Sequence, residues 1–348
     1  DWTKPLYKLI MFGKRPGSYL FVTLLGAFLL MISLGMSKTL AIAGAIAVAF
    51  CSYNMQIIQG GHNTKMQAIA FFPWVLAGVI FTYKSAFKDG SWKNWLPKTV
   101  LGSVLFALAL SMQIKANHIQ ITYYLAIVIF VYAIGRLIDL LIRRKEMLKR
   151  FFAASALLLV IGCIGIATNA NKLIPTYEYT PYTMRGGSEL SADSDSHNDK
   201  GLDLDYATAW SYGISEMPNL LIPNFNGGSS AGPLDMDSET GQLLKRAGQP
   251  NLRQTLKSMP LYWGPQPFTA GPMYMGAITI FLFVMGLILL KGREKWWVVV
   301  ATVIAILLAW GNHFMWFTRL WFEYADSTSG DSAYAWILYS RQGSERNI

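Results

Sequence analysis

Cysteine and charged residues are scarce in this chain, and each shortage excludes a class of protein. Of the 348 residues only two are cysteines, Cys51 and Cys163. Because both lie inside apolar runs, neither a disulfide framework nor a thiolate metal site is expected. Charged residues make up 14% of the chain against 53% hydrophobic residues, and the mean hydropathy is +0.32. These values lie well outside the range of ordinary soluble domains, so composition predicts an all-α polytopic membrane protein.

Acidic residues are outnumbered by basic ones and are concentrated in one part of the chain. Residues 169–272 hold 11 of the 20 acids but only 7 of the 30 bases, so this segment carries a net charge of −4 and the rest +14. The overall charge of +10 does not indicate a nucleic-acid partner, because the bases lie in turns between apolar runs, where charge fixes membrane orientation. We interpret residues 169–272 as one large extracytoplasmic loop, with short helices between Leu243 and Lys257.

Eight apolar runs outside this loop are candidate transmembrane helices. The shortest run, 39–53, either packs deep among its neighbours or continues into residues 54–59. The eight runs are residues 18–36, 39–53, 67–83, 99–113, 119–142, 151–168, 273–290 and 296–310.

The predicted domain order follows from these runs. The chain opens on Asp1 without an initiator methionine, and we expect it to be a fragment. The order is an interfacial tail of the first outer loop (1–17), six transmembrane helices (18–168), the large loop (169–272), two further helices (273–311) and an outer tail (312–348), of which residues 326–348 are atypical.

The basic residues predict the orientation of the helices. Four turns, at residues 37–38, 84–98, 143–150 and 291–295, together hold thirteen bases and three acids. The positive-inside rule places such turns in the cytoplasm. The remaining turns, the large loop and everything after Trp310 then share the opposite face.

The first residues are basic yet fall on that opposite face. We interpret residues 4–13 as an amphipathic segment lying along the membrane interface. The side chains expected to point inward are Trp2, Leu6, Tyr7, Ile10 and Phe12.

The turn Gly60-Gly-His-Asn-Thr-Lys65 joins two spans and is rich in hydrogen-bond donors. His62, Asn63 and Lys65 could bind a phosphate at the level of the lipid headgroups, with Lys65 acting as a point charge. The alternative is a solvated turn that caps the next helix through Asn63 or Thr64.

A second polar motif, Lys115-Ala-Asn-His-Ile-Gln-Ile-Thr-Tyr-Tyr124, lies within and beside two spans. Polar groups at this depth are costly unless they line a cavity or pair with one another. We favour a functional cavity over an interhelical hydrogen-bond cluster. Its candidate residues are Lys115, Asn117, His118, Gln120 and Tyr124.

Charged residues that follow the sixth span are expected at the membrane surface beneath the loop. Glu178 or Glu189 could orient a sugar hydroxyl or act as a base, and Arg185 could bind a diphosphate. A structural ion pair between Arg185 and one of these acids is the alternative.

The loop is dense in aromatic residues, among them Tyr177, Trp210 and Tyr212. Flat apolar faces suit sugar rings, although the same side chains could also form a small aromatic core. The acidic run 193–199 lacks the glycine and the terminal glutamate of a calcium loop, so no metal is assigned.

Several motifs occur in the same order in the YfhO family of bacterial membrane proteins, which this sequence resembles over about residues 10–325. The form is most similar to that of the Bacteroidetes. The resemblance implies a GT-C-like bundle of about eight transmembrane helices in the bacterial inner membrane, with its active site on the periplasmic face. The matching motifs are Gly61-His-Asn-Thr-Lys65, Ala116-Asn-His-Ile-Gln-Ile-Thr-Tyr-Tyr124, Tyr177-Glu-Tyr-Thr180, Thr183-Met-Arg-Gly-Gly-Ser-Glu189, Gly201-Leu-Asp-Leu-Asp-Tyr206 and Trp210-Ser-Tyr-Gly213.

The activity that this resemblance implies is transfer of a sugar from a polyprenyl-phosphate donor to an envelope glycan or lipid acceptor, with membrane lipids around the protein and no cofactor. GT-C enzymes usually carry a catalytic acid in the first outer loop, so such an acid is expected upstream of Asp1. The alternatives are a transporter or flippase of lipid-linked glycans and a noncatalytic envelope-assembly protein. The expected roles are donor-phosphate binding by His62, Asn63, Lys65, Lys115 and Arg185, acceptor activation by His118 and Glu178, and sugar or acceptor binding by Asn117, Gln120, Tyr124, Tyr177, Trp210 and Tyr212.

Overall fold

The described part of the chain is helical. The computed structural model describes residues 3–11, 13–179, 182, 204 and 208–326, and within these ranges it contains no β-strand. The α-helices are α1 (Thr3–Ile10), α2 (Gly17–Leu34), α3 (Lys38–Ala49), α4 (Ser52–Gln59), α5 (Asn63–Ala86), α6 (Trp92–Lys115), α7 (Ile119–Arg143), α8 (Leu148–Ala167), α9 (Ala170–Tyr179), α10 (Glu239–Arg246), α11 (Leu252–Leu256), α12 (Ala277–Leu289), α13 (Lys295–Trp310) and α14 (Met315–Asp326).

Seven helical segments of the described residues are long and apolar enough to cross a membrane, one fewer than the eight predicted. They are Gly17–Leu34, Lys38–Gln59, Asn63–Ala86, Trp92–Lys115, Ile119–Arg143, Lys145–Ala167 and Lys295–Trp321.

The predicted span at residues 273–290 forms the short helix α12 of 13 residues. Such a helix rises only about 20 Å, whereas the hydrocarbon core is about 30 Å thick. The helix is short because Gly276 has a positive φ of 106° and Leu290 is extended. The preceding backbone is instead held by α4, where Ser52 Oγ donates to the carbonyl of Tyr274.

The run 39–53 continues into residues 54–59, as one of the two sequence interpretations predicted. Helices α3 and α4 form one apolar segment, Lys38–Gln59, with a break between Ala49 and Ser52. The buried Asn54 Nδ2 donates to the carbonyl oxygens of Val48 (3.0 Å) and Ala49 (3.1 Å). This side chain satisfies the helix-end carbonyls that the break leaves without helical partners.

Helix α5 is the most buried span and packs against α2, α6, α7 and α8. Glycines permit its close approach to α6. A Cβ on Gly78 would lie 2.7 Å from the Cα of Phe106, and one on Gly102 would lie 3.0 Å from the Cα of Thr82. Small residues at helix contacts allow the dispersion contacts that hold membrane helices together.

The bundle has two chemically different ends. Gln56 Nε2 at the end of α4 donates to Pro272 O (2.9 Å), and Lys172 Nζ donates to Lys115 O at the end of α6 (3.0 Å). Turns 60–62 and 116–118 therefore lie at the end where the loop attaches, here called the loop end. The opposite end, which holds the predicted cytoplasmic turns, is called the basic end.

Several bases at the basic end have structural contacts. Arg144 pairs with Asp89 at 2.6 Å, and Arg150 donates to the carbonyls of Lys88 (2.7 Å) and Gly90 (3.0 Å). These contacts join the turn after α5 to the start of α8.

Helix α1 packs against the loop end through two of the side chains expected to point inward, and its place along the membrane interface stays a prediction. Tyr7 and Ile10 contact the cluster that includes Val22 and Phe71, and the Tyr7 hydroxyl donates to Gln67 Oε1. The other predicted inward side chains, those of Trp2, Leu6 and Phe12, lie outside the described part of the chain.

The loop has its own hydrogen-bonded framework. Gly228 N donates to Leu261 O (2.9 Å), and Gly232 and Met259 exchange two backbone hydrogen bonds of 2.9 Å. The predicted short helices between 243 and 257 are present as part of α10 and as α11. Backbone contacts also attach the loop to α13 and the turn that follows it: Tyr212 N donates to Ala309 O (2.7 Å), and Asn312 N donates to Ser211 Oγ (2.9 Å).

Candidate functional site

Two lysines meet at the loop end of the bundle. Lys115 is the last residue of α6, and Lys172 lies in the first turn of α9. Lys172 Nζ donates to the carbonyl oxygen of Lys115 at 3.0 Å. Lys172 thus satisfies a carbonyl at a helix C-terminus and brings a second ammonium group to the site.

A polar cluster between α6 and α8 fixes the position of α9. The hydroxyls of Ser111 and Thr168 are 2.6 Å apart, and the buried Asn169 Nδ2 donates to Ser111 O at 3.0 Å. Because Asn169 immediately precedes α9, this cluster sets the direction in which α9 leaves the bundle. It thereby positions Lys172.

The pair of lysines makes this region electropositive. The pKa of Lys172 is lowered from its ordinary value, first by partial burial and then by the positive charge of Lys115. Both causes disfavour the charged ammonium group. An anion that binds beside the two lysines would oppose both effects, since it neutralises the repulsion between them.

Lys65 lies on the neighbouring helix α5, where its ammonium group is 5.5 Å from the centre of the Tyr53 ring. One turn further along, Ile69 contacts two clusters, one that includes Tyr19 and Ile57 and one built on Ala68, Ala116 and Ile121. Lys65 therefore lies on a helix that packs against the connection between α6 and α7.

His118 stands at the N-cap position of α7. Its side chain is only 5% exposed, and the neighbouring Ala116 and Ile121 pack against Ala68 of α5. A histidine this buried can orient other groups, but it presents little surface to a large acceptor. The predicted convergence of the two polar turns on one cavity stays a prediction.

Asn117 has a structural role. It follows the end of α6 in the left-handed conformation, with φ of 58°, and its N–H donates to Ile114 O at 2.9 Å. Asparagine is one of the few residues that adopt this conformation readily at a helix end. Its exposed side chain remains available for the predicted sugar contact.

Gln120 and Tyr124 lie one turn apart on α7. Gln120 Nε2 donates to the Tyr124 hydroxyl at 2.9 Å, in an exposed position. This pair leaves the second amide hydrogen of Gln120 and its carbonyl oxygen available to a ligand.

The turn at residues 60–65 does not cap α5 through Asn63 or Thr64, contrary to what the alternative interpretation predicted. Helix α5 begins at Asn63 with His62 at the N-cap, and no side chain makes a cap hydrogen bond. Asn63 Oδ1 instead accepts a hydrogen bond from the Tyr19 hydroxyl (3.1 Å), which itself accepts one from Gln67 Nε2 (3.1 Å). Asn63 is thereby tied to α2, and His62 is exposed.

Tyr177 and Glu178 lie on α9 with exposed side chains. Glu178 is six residues beyond Lys172, a rise of about 9 Å along a helix. Because six residues are not a whole number of helical turns, Glu178 and Lys172 leave α9 on different sides, and the role of Glu178 in the site stays a prediction. Arg185 and Glu189 lie outside the described residues.

Trp210 and Tyr212 are half-buried and make contacts within the loop. Trp210 contacts Phe268 edge to face, with 5.1 Å between ring centres, and the Tyr212 hydroxyl donates to Glu216 O at 2.8 Å. These contacts match the aromatic-core alternative for the two side chains.

Glu216 is a buried acid that sequence reasoning did not single out. Its side chain is 0% exposed. Oε1 accepts a hydrogen bond from the Tyr262 hydroxyl (2.7 Å), and Oε2 accepts from Gly213 N (2.8 Å) and Gln266 Nε2 (3.2 Å). The pKa of Tyr212 is raised to about 12, by burial and then by the charge of Glu216. With its oxygens satisfied and sealed from solvent, Glu216 holds the loop together and is not a candidate general base.

Among the described residues, no three His, Cys, Asp or Glu side chains come together as a metal site would require. The expectation that the protein has no cofactor stays a prediction, as does the possibility of a divalent metal. Lys172 and Glu216 were not predicted from the sequence because neither belongs to a recognisable motif. The one sequence signal for Lys172 was a base directly after a span on the side where bases are few.

Comparison with known proteins adds no further constraint: no family model, no curated protein and no solved structure matches this chain. The resemblance to the YfhO family stays a prediction.

Proposed function

We propose that the chain is a GT-C-like membrane glycosyltransferase that moves a sugar from a polyprenyl-phosphate donor to an envelope glycan or lipid acceptor on the periplasmic side of the bacterial inner membrane. The observation that carries the proposal is the contact of Lys172 Nζ with Lys115 O. This contact holds the Lys172 ammonium group at the C-terminus of α6, where Lys115 supplies a second cation, and the proposal assigns the lipid-linked phosphate to this end of the bundle.

The electrostatic role of these lysines is transition-state stabilisation. As the glycosidic bond breaks, the donor phosphate gains negative charge and becomes the leaving group. Fixed cations beside it lower the barrier, and one such contact is commonly worth about 3 kcal/mol, or roughly a hundredfold in rate. Lys115 and Lys172 supply this charge, and Lys65 joins them from α5. Arg185, which belongs to the motif at residues 183–189, remains a proposed phosphate ligand.

The other residues take supporting roles in the proposal. His118, being buried, positions the connection between α6 and α7, and the exposed Glu178 orients or activates the acceptor hydroxyl. The exposed Tyr177 and the pair Gln120 and Tyr124 contact the sugar or acceptor. Trp210 and Tyr212 act through the shape of the loop.

A transporter of lipid-linked glycans is the second candidate, and one observation favours it. The apolar segment Lys38–Gln59 is broken between α3 and α4, and the short helix α12 follows a non-helical stretch tied to α4 through Ser52. Discontinuous helices of this kind often form substrate sites in transporters.

The transferase proposal is tested with the purified full-length protein in detergent and labelled polyprenyl-phosphate hexoses, by following release of polyprenyl phosphate. Lys172→Met and Lys65→Met are each expected to reduce turnover about a hundredfold. Lys93→Met is the matched control, because Lys93 lies at the basic end against the ring of Trp92. It should retain wild-type turnover.

Two results would contradict the proposal. Turnover that is equally reduced in all three variants would show a general effect of charge or stability. Movement of an intact labelled donor across liposomes, without release of polyprenyl phosphate, would favour the transporter instead.

A further inference from the structure

The loop carries a cleft whose lining includes two bases and one acid and none of the lysines of the proposed phosphate site. It is an open cavity of about 520 Å³ lined by Met236, Asp237, Gln242, Lys245 and Arg246. Its size lies within the range of small-molecule sites and exceeds what a single phosphate would fill.

A glycine shapes one wall of this cleft. A Cβ on Gly241, in the first turn of α10, would lie 2.6 Å from Met236 O and 2.7 Å from Asp235 O. Only a residue without a side chain lets the turn at 235–237 pack so closely on the helix. Gln242 Nε2 further donates to Asp237 O at 3.2 Å. The turn and the helix thus form two sides of one cleft.

Bases follow an acidic stretch in this part of the loop, since Asp235, Asp237 and Glu239 come just before them. Residues 169–272 carry a net charge of −4, yet residues 240–260 contain four bases and no acid. All four are exposed: Lys245, Arg246, Arg253 and Lys257. The positive-inside rule does not explain bases here, since the loop lies away from the basic end.

Helix capping does not explain the two bases of the cleft either. Gly248 ends α10 in the left-handed conformation, with φ of 69°. Its N–H donates to Lys245 O (3.2 Å), and Gln249 N donates to Leu244 O (3.1 Å). The last carbonyls of the helix are therefore already satisfied by backbone groups. Neither Lys245 nor Arg246 forms an ion pair within the described residues.

We propose that this cleft binds a soluble anionic saccharide, one that carries a phosphate or carboxylate group on one or two sugar units. Arg246 offers a planar pair of donors that matches such an anion, and Lys245 adds a point charge. Asp237 and the amide of Gln242 can bind sugar hydroxyls, and Met236 offers an apolar contact to the ring. The binding site is separate from the proposed transfer chemistry, so either proposal can fail alone.

The test measures equilibrium binding of glucose 6-phosphate to the full chain in neutral detergent, with maltose as the uncharged probe. Binding of glucose 6-phosphate but not of maltose is expected. The double variant Lys245→Gln/Arg246→Gln should weaken binding at least tenfold. The matched control Arg253→Gln/Lys257→Gln removes the same charge outside the lining of the cleft and should change binding less than threefold.

Three outcomes would overturn the inference. The first is no binding of glucose 6-phosphate at millimolar concentration. The second is an equal loss in both double variants, which would show diffuse attraction by net charge. The third is binding of phosphatidylglycerol vesicles that depends on Lys245 and Arg246 while glucose 6-phosphate does not bind, which would identify a lipid headgroup as the ligand.

Discussion

The buried carboxylate of Glu216 is expected to control the stability of the loop. It accepts hydrogen bonds from Gly213 N, the Tyr262 hydroxyl and Gln266 Nε2 at 2.7–3.2 Å. Hydrogen bonds to charged groups contribute about 1.5–3 kcal/mol each, and buried donors left without acceptors add a desolvation cost. Glu216→Ala removes all three acceptors at once. Because Tyr262 and Gln266 are only partly buried, water can replace some of the lost acceptors. We therefore expect the opening free energy of the loop to fall by about 3–5 kcal/mol.

Glu216→Gln removes the negative charge of the side chain but keeps its shape. The glutamine oxygen can still accept from Gly213 and Gln266, while its amide can donate to the Tyr262 oxygen. We therefore expect a smaller loss, about 1–2 kcal/mol. Amide hydrogen exchange of the full chain in detergent measures the loss of opening free energy in both variants. Exchange at Gly213 should accelerate roughly a hundredfold or more in the alanine variant and about tenfold in the glutamine variant, since 1.4 kcal/mol is a factor of ten.

An internal control is available in the same experiment. Amides in the middle of α5 should exchange at the wild-type rate, because the loop opens without unfolding the bundle. Exchange at Gly213 that changes less than threefold in Glu216→Ala would show that the carboxylate does not stabilise the loop, and the reasoning above would be wrong.

Two further perturbations test the bundle itself. Arg136, whose side chain is 15% exposed, pairs with Glu294, which is 64% exposed. Glu294→Gln should therefore lower the stability in detergent by about 1–2 kcal/mol, as measured by thermal unfolding. Adding Arg136→Met to this variant should restore the stability. Gly78→Val should destabilise by at least 1–3 kcal/mol because its Cβ would meet the backbone of Phe106 at 2.7 Å. Gly286→Val, whose nearest neighbour is 3.9 Å away, is the control and should unfold at the wild-type temperature.

The first six spans could be predicted from the sequence because each is a long apolar run bounded by polar turns. The seventh run forms a helix too short to count as a span because its ends are set by backbone conformation, at Gly276 and Leu290, which hydropathy does not register. The contacts of Ser52 with Tyr274 that hold this stretch join residues more than two hundred positions apart. No local pattern could indicate them.

The candidate site was predictable only in part, for the same reason. The polar turns at 60–65 and 115–124 are visible as sequence motifs. The position of Lys172, by contrast, depends on a carbonyl 57 residues earlier and on Asn169 contacting Ser111. Asn117 has a structural role that the motif does not indicate, since its left-handed backbone ends α6, and its predicted sugar contact stays a prediction.

The attachment of the loop has a consequence for the order of events during synthesis. Tyr212 N bonds to Ala309 O, and Ser211 Oγ accepts from Asn312 N, so the loop docks on a helix end that is made about a hundred residues later. At translation rates of about 5–20 residues per second, the wait is roughly 5–20 s. During that interval the loop must remain folded, or be kept from aggregating, without this anchor. Its internal framework, from Gly228 to Leu261, can form as soon as its own residues have emerged, well before α13 exists.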